Sequence, residues 1–153
     1  MTDDSEVLGR VRQAFATVVR PEHFTDHTHY DECHEHDETL RARDLDTLSF
    51  DDMGNGAWDP ITMATPVAFA YYLPALARIA LDEPHPTWGW FGPQLSWQLE
   101  RDERRNERWL ACNEAQRAAV AALLEHIIDT RASLIAEYDC ANELLRTHEI
   151  WSE

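Results

Sequence analysis

Five of the chain's eight histidines lie in residues 22–38, the segment EHFTDHTHYDECHEHDE, which also contains Cys33. If a helix begins near the middle of this segment, Cys33 and His36 stand at i and i+3 on one face, and His27 and His29 approach from the preceding loop. Three imidazole nitrogens and one thiolate sulfur are a donor set that zinc accepts in tetrahedral geometry. The sequence therefore predicts a zinc site formed by His27, His29, Cys33 and His36.

Acidic neighbours could complete such a site, because Glu32, Glu35 and Asp37 are placed to orient the imidazoles from behind. The spacing is not that of a standard zinc finger, since the chain contains no CxxC pair. Two alternatives stay open. The segment is a solvated polar helix that happens to carry histidines, or a surface that captures nickel or copper without selectivity.

Other catalytic patterns are weak. Acids as abundant as Asp51, Asp52 and Asp59 form pairs by chance, and the sequence has neither a GxSxG nucleophile elbow nor a glycine-rich phosphate loop. Cys112 lies near a predicted helix start, where a thiolate is stabilised, but a buried packing role is the stronger interpretation. We therefore expect a non-catalytic protein.

The charge balance is strongly acidic, with 13 basic residues, all of them Arg, against 29 acidic ones and a net charge of -16. Such a chain repels nucleic acid and anionic membrane, and it favours cationic partners or metal ions. The sequence has no apolar run of membrane-spanning length and no signal-peptide pattern, so we expect a cytoplasmic protein. Its three cysteines, an odd number at wide spacings, argue against a disulfide framework.

The order of elements begins with helices. Apolar residues at helical spacing predict a first helix over residues 3–20, which Pro21 ends. Residues 31–43 have acids early, Arg late and few apolar side chains, so we expect an exposed helix there. A single turn capped by Ser49 should run through Met53 into a glycine-containing connector.

The central part of the chain is apolar and aromatic. Thr65 followed by Pro66 predicts the start of a buried central helix, kinked at Pro74. Residues 84–93 combine proline, glycine and aromatic residues, which indicates a loop. Residues 94–109 begin amphipathic and become highly charged, so we expect a helix that emerges into solvent with its Arg residues paired to neighbouring acids.

The C-terminal part predicts a long helix capped by Asn113, with an apolar face that continues to Tyr138, and a separate last helix that starts near Asp139. The sequence shows no internal repeat and no strand pattern of useful length. The expected fold is all-α, a single domain over residues 1–153 built as an irregular bundle of about five or six helices.

Aromatic residues outside the histidine segment have two interpretations. Tyr71 and Tyr72, with five of the tryptophans, could line a ligand pocket, because an aromatic ring offers contact area and, in Tyr and Trp, a polar group. The stronger interpretation is that they fill the core of a small bundle. The tryptophans in question are Trp58, Trp88, Trp90, Trp97 and Trp109.

Three stretches together, WDPIT (58–62), FAYYLPALARIAL (69–81) and NEAQRAAVAALLEHI (113–127), resemble an uncharacterised bacterial family of small cytosolic helical proteins with no assigned activity. The resemblance covers roughly residues 20–151. It implies a second cysteine just before the DEC stretch, where this chain has Tyr30. That departure removes one candidate ligand, whose place His29 or His27 would have to take.

Three functions follow as hypotheses. The first is a binding or structural module in which zinc ties the histidine loop to its helix. The second is an acidic interaction or inhibitor protein that neutralises a basic protein partner. The third is a metal-dependent enzyme with an open coordination position beside an aromatic pocket. Exposed amphipathic helices would also permit a homodimer.

Overall fold

The computed structural model describes residues 2–101 and 106–153, and within these ranges it is helical with no β-strand. Two 3-10 helices, Gly56–Trp58 and Pro60–Met63, lie between the third and fourth α-helices. The α-helices are α1 (Asp4–Phe15), α2 (Asp31–Arg41), α3 (Phe50–Met53), α4 (Pro66–Leu81), α5 (Gly92–Glu100), α6 (Glu107–Leu110), α7 (Glu114–Thr130), α8 (Ala132–Tyr138) and α9 (Ala141–Trp151). The all-α prediction is confirmed.

The helix α4 lies at the centre, as its composition predicted. Thr65 accepts a hydrogen bond from the backbone N–H of Ala68 at 3.2 Å, and Pro66 opens the first turn. Twelve of its sixteen residues are buried, Pro74 among them. Because α1 packs against both α4 and α7, and α9 packs against α5 and α7, the helices share one continuous hydrophobic core.

The described residues form nine α-helices, more than the expected five or six. Six of them have nine residues or more, and the short helices α3, α6 and α8 account for the excess. The first helix ends at Phe15, earlier than predicted. The predicted long C-terminal helix is broken at Arg131, which leaves the helical region with ψ of 33°. There the Arg131 guanidinium donates to Asp4 and to the carbonyl of Leu81, contacts that a straight helix pattern does not foretell.

The charged run after α5 was expected to pair its Arg residues with nearby acids. Residues 102–105 of that run lie outside the described ranges. Arg101 and Arg108 differ from the prediction, since their guanidinium groups donate to the backbone carbonyls of Thr62 and Ile61. Arg108 is only 4% exposed, and buried carbonyl oxygens satisfy its N–H groups there.

The helix α2 was expected to be exposed, and that prediction is wrong. Four of its residues, Cys33, His36, Asp37 and Leu40, are buried and follow the i, i+3, i+4, i+7 spacing of one helix face. This face packs against the 3-10 helix Pro60–Met63. Two of the four are polar, which is why a search for apolar periodicity does not detect the face.

The loop before α2 is fixed at its base. The backbone N–H of Thr65 donates to the carbonyl of Phe24 at 2.9 Å, and Thr25 forms an isolated antiparallel bridge with Ala64. The Phe24 side chain is fully buried. The start of α4 therefore holds the loop of residues 21–30 against α2. None of the helices within the described ranges combines the length and apolar character needed to cross a bilayer.

Candidate metal centre

His23 and Asp37 form the centre of the candidate site. His23 Nδ1 lies 2.8 Å from Asp37 Oδ2, with the Asp37 side chain 2% exposed and the His23 side chain 32% exposed. An ionised carboxylate only accepts hydrogen bonds, so Nδ1 carries the proton and donates. In the neutral form of such a ring, the opposite nitrogen, Nε2, holds the free lone pair.

The second oxygen of Asp37 is also anchored, because Oδ1 accepts the backbone N–H of Phe24 at 2.6 Å. Burial acts to raise the pKa of Asp37, but the hydrogen bonds from His23 and from backbone N–H groups outweigh it and hold the pKa below its usual value. The carboxylate is therefore ionised at neutral pH. It places one fixed negative charge at the junction of the loop and α2.

His27 completes the group from the same loop. Its ring is stacked on that of His23, with centroids 3.6 Å apart and planes inclined by 10°. One ligand atom from each of His23, His27 and Asp37 lies within 4.8 Å of the other two. The structure therefore brings two imidazoles and one carboxylate together.

This donor set fits a divalent transition metal. Imidazole nitrogen and carboxylate oxygen are both zinc ligands at about 2.0–2.2 Å, which in tetrahedral geometry sets neighbouring ligand atoms about 3.3–3.6 Å apart. His23 Nδ1 and Asp37 Oδ2 lie 2.8 Å apart, a hydrogen-bond distance, so the two atoms must separate slightly to bind one ion. The nearly parallel rings are less favourable, since their in-plane lone pairs do not converge on one point. His27 must rotate out of the stack to bind the same ion.

Only one of the four ligands predicted from the sequence, His27, belongs to this group. The ring of His29 lies against Tyr30 on the surface. Cys33 is buried in α2, and its carbonyl accepts a hydrogen bond from Thr25. The structure does not bring His29, Cys33 and His36 into the group around His27.

His36 is buried one residue before Asp37 and faces a different set of neighbours. Its Nε2 lies 3.3 Å from Glu32 Oε1, and its ring centroid lies 4.7 Å from that of Trp58. Two of the three acids expected to orient imidazoles do contact a histidine. Asp37 contacts His23, and Glu32 contacts His36. Each carboxylate fixes which ring nitrogen carries the proton.

Sequence reasoning missed His23 and Asp37 as ligands. His23 lies within the recognised segment and on the same loop as His27, but the predicted set took its loop ligands from His27 and His29. Asp37 had a detectable signal, because it shares the i, i+4, i+7 face with Cys33 and Leu40. A carboxylate on an otherwise buried face requires a hydrogen-bonding or cationic partner, and His23 is that partner.

A second buried polar cluster supports the candidate site indirectly, through the 3-10 helix that packs against α2. Arg108 donates to the carbonyl of Ile61 at 2.6 Å and to the side-chain oxygen of Gln98 at 2.6 Å, while its guanidinium lies over the ring of Phe69. Burial lowers the pKa of Arg108 to about 9, so it stays charged at neutral pH. Burial also raises the pKa of Asp59, whose carboxylate accepts from Gln98. This cluster holds the 3-10 helix on which α2 rests.

The cysteines behave as core residues. All three are buried and free. Burial raises the pKa of the Cys112 thiol to about 11, which disfavours the reactive thiolate and agrees with a packing role. The aromatic residues divide, since Tyr72 and Trp90 are buried, whereas Trp58, Trp88 and Trp97 are among the exposed large side chains.

Comparison with known proteins gives a family without a function. No curated protein and no solved structure matches the chain. A model of a family of unknown function matches residues 3–152, nearly the whole chain. That extent agrees with the resemblance to an uncharacterised family. The chain belongs to DUF6714, a family of unknown function.

Proposed function

We propose that this protein is a non-catalytic metal-binding module that holds one divalent transition-metal ion, such as zinc, through His23, His27 and Asp37. The observation that carries the proposal is the convergence of their three ligand atoms within 4.8 Å. Two imidazoles and a carboxylate suit zinc, iron(II), manganese or cobalt. The thiolate of the sequence-based set is not part of this donor group.

The metal replaces a proton in this proposal. In a neutral ring the Nδ1 proton moves to Nε2, so that the lone pair of His23 Nδ1 would bind the ion, and Asp37 would turn from a hydrogen-bond acceptor into a ligand. Since the two atoms are already 2.8 Å apart, little backbone movement is needed. Binding weakens in acid, because only neutral imidazole coordinates a metal and a protonated ring must first release its proton.

The structural effect is to tie the loop to α2. His23 and His27 lie on the loop, Asp37 lies on the helix, and one ion would cross-link them. Three protein ligands leave at least one coordination position for water or for another molecule. This open position keeps the metal-dependent enzyme as a prediction. The zinc site at His27, His29, Cys33 and His36 also stays a prediction, which the ligand variants described below test.

The test is elemental analysis of untagged protein purified without a metal column, followed by zinc titration of the metal-free chain. Wild type should carry about one equivalent of metal per chain. His23→Ala and Asp37→Asn should each raise the zinc Kd by about 100-fold or more, since even residues that only orient a ligand contribute 10–100-fold. His34→Ala is the matched control, because His34 lies on α2 with an exposed side chain and pairs with Glu38.

Two further variants separate the ligand sets. Cys33→Ala and His36→Ala should retain zinc in this proposal and lose it if the sequence-based set is correct. Circular dichroism checks that each variant keeps its helices. Metal-free wild type that also fails to bind added zinc would refute both sets.

A further inference from the structure

Two exposed tryptophans lie in different connecting segments, Trp58 between α3 and α4 and Trp88 between α4 and α5. Trp58 is 50% exposed and Trp88 is 41% exposed, although tryptophan is usually buried in a domain of this size. Trp88 covers Gly54, since a Cβ atom there would lie 3.4 Å from its ring. Trp58 follows Gly54 by four residues, so its Cα atom lies at most roughly 15 Å from that of the glycine that Trp88 covers. The two exposed rings, with Glu32 and Asp51, are together called the tryptophan surface here.

Each ring is held in place by a histidine that contacts a carboxylate. His36 lies 4.7 Å from the Trp58 ring and contacts Glu32. His85 lies 6.3 Å from the Trp88 ring, and His85 Nε2 is 2.8 Å from Asp51 Oδ1. The same arrangement thus occurs twice, with an acid behind a histidine that packs against an exposed indole.

The acids remain accessible from outside. The side chain of Glu32 is 38% exposed and that of Asp51 is 76% exposed. A carboxylate on the histidine that contacts each indole favours a cation over the ring face, because the ring quadrupole and the carboxylate attract the same charge. The surface is therefore suited to positively charged groups.

Local hydrogen bonds order both of the segments that carry these tryptophans. Asn55 Oδ1 accepts the backbone N–H of Ala57 at 2.8 Å, and the ring nitrogen Nδ1 of His85 accepts the backbone N–H of Trp88 at 3.1 Å. Rings that are fixed before binding lose little conformational entropy when a partner arrives. This is the property of aromatic anchors in protein interfaces.

We propose that the tryptophan surface binds a basic segment of another protein, whose Arg or Lys side chains stack on Trp58 and Trp88 and pair with Glu32 and Asp51. The net charge of -16 supports this partner, because it attracts a basic chain over long range and repels nucleic acid. A second copy of this chain is disfavoured, since it carries the same negative charge. The proposal does not depend on metal binding.

The test is titration of the full chain with a fluorescently labelled arginine-rich peptide, in EDTA so that no metal takes part. Trp58→Leu and Trp88→Leu should each raise the Kd about 2–30-fold, the range for exposed to desolvated cation–π contacts. Asp51→Asn should also weaken binding and reduce its dependence on salt. Leu145→Ala is the control. Leu145 is exposed to a similar degree, 53%, but it belongs to a different site, an apolar cavity that it lines with Ile128, Ile135 and Leu144.

Two results would overturn the proposal. Equal affinity of wild type and both tryptophan variants would show that the peptide responds only to overall charge. A wild-type dimer in sedimentation that the tryptophan substitutions dissociate would assign the surface to a second copy of the chain. Circular dichroism of each variant excludes loss of folding as the cause of weaker binding.

Discussion

Replacing Arg108 by Ala should destabilise the protein strongly. Its guanidinium donates to the carbonyl of Ile61, the carbonyl of Gln98 and the side-chain oxygen of Gln98, at 2.6, 3.0 and 2.6 Å. Arg108→Ala leaves those acceptors and the 1% exposed Asp59 without their cation. Removing one charge from such a buried group costs about 3–5 kcal/mol.

That loss is large for a chain of this size. Total stability is usually about 5–15 kcal/mol, and each kcal/mol shifts the Tm by about 2–4 °C at 150 residues or more. We therefore expect a Tm lower by roughly 6–20 °C in thermal unfolding and a lower urea midpoint. Since Arg108 holds the 3-10 helix on which α2 packs, zinc binding should weaken as well.

Arg101→Ala is the matched control. Arg101 donates to the carbonyl of Thr62, the residue next to Ile61, at 2.7 Å, but it is exposed. Water can replace its hydrogen bond, so we expect a loss of about 1 kcal/mol or less. If the free energies of unfolding of Arg108→Ala and Arg101→Ala differ by about 1 kcal/mol or less, the buried cluster does not support the fold as argued.

Two further changes test other parts of the structure. Hydrogen bonds from Arg131 and His126 lower the pKa of Asp4 to about 2, so its contribution to stability is complete above the unfolded pKa near 3.8 and disappears as the pH falls through about 2. Asp4→Asn should therefore be less stable than wild type at pH 7, by about 1 kcal/mol because Asp4 is 45% exposed, and urea midpoints should converge toward pH 2. A pH-independent difference would contradict this assignment. Gly89→Ala should cost about 1–3 kcal/mol in urea unfolding, since Gly89 has φ of +77° and a Cβ atom there would lie 2.5 Å from the Tyr138 hydroxyl oxygen. A midpoint equal to that of wild type would show that Tyr138 moves aside freely.

Local signals predicted much of the secondary structure. Thr65 and Pro66 open α4 and Asn113 caps α7, because capping depends on residues no more than four positions apart. The apolar composition of α4 likewise predicted its buried position. These features follow from the chain itself, since their physical causes act within one or two helical turns.

The candidate site needed the tertiary structure. The sequence located the histidine segment, but it did not determine that His23 would meet Asp37, or that Cys33 would turn inward with α2. Asp37 is ionised and buried because a loop 14 residues earlier supplies its hydrogen-bond donors. Similarly, α7 ends where Arg131 reaches Asp4, 127 positions away. Composition and periodicity describe a residue's near neighbours, whereas ligand geometry and buried charge depend on side chains that only the folded chain brings together.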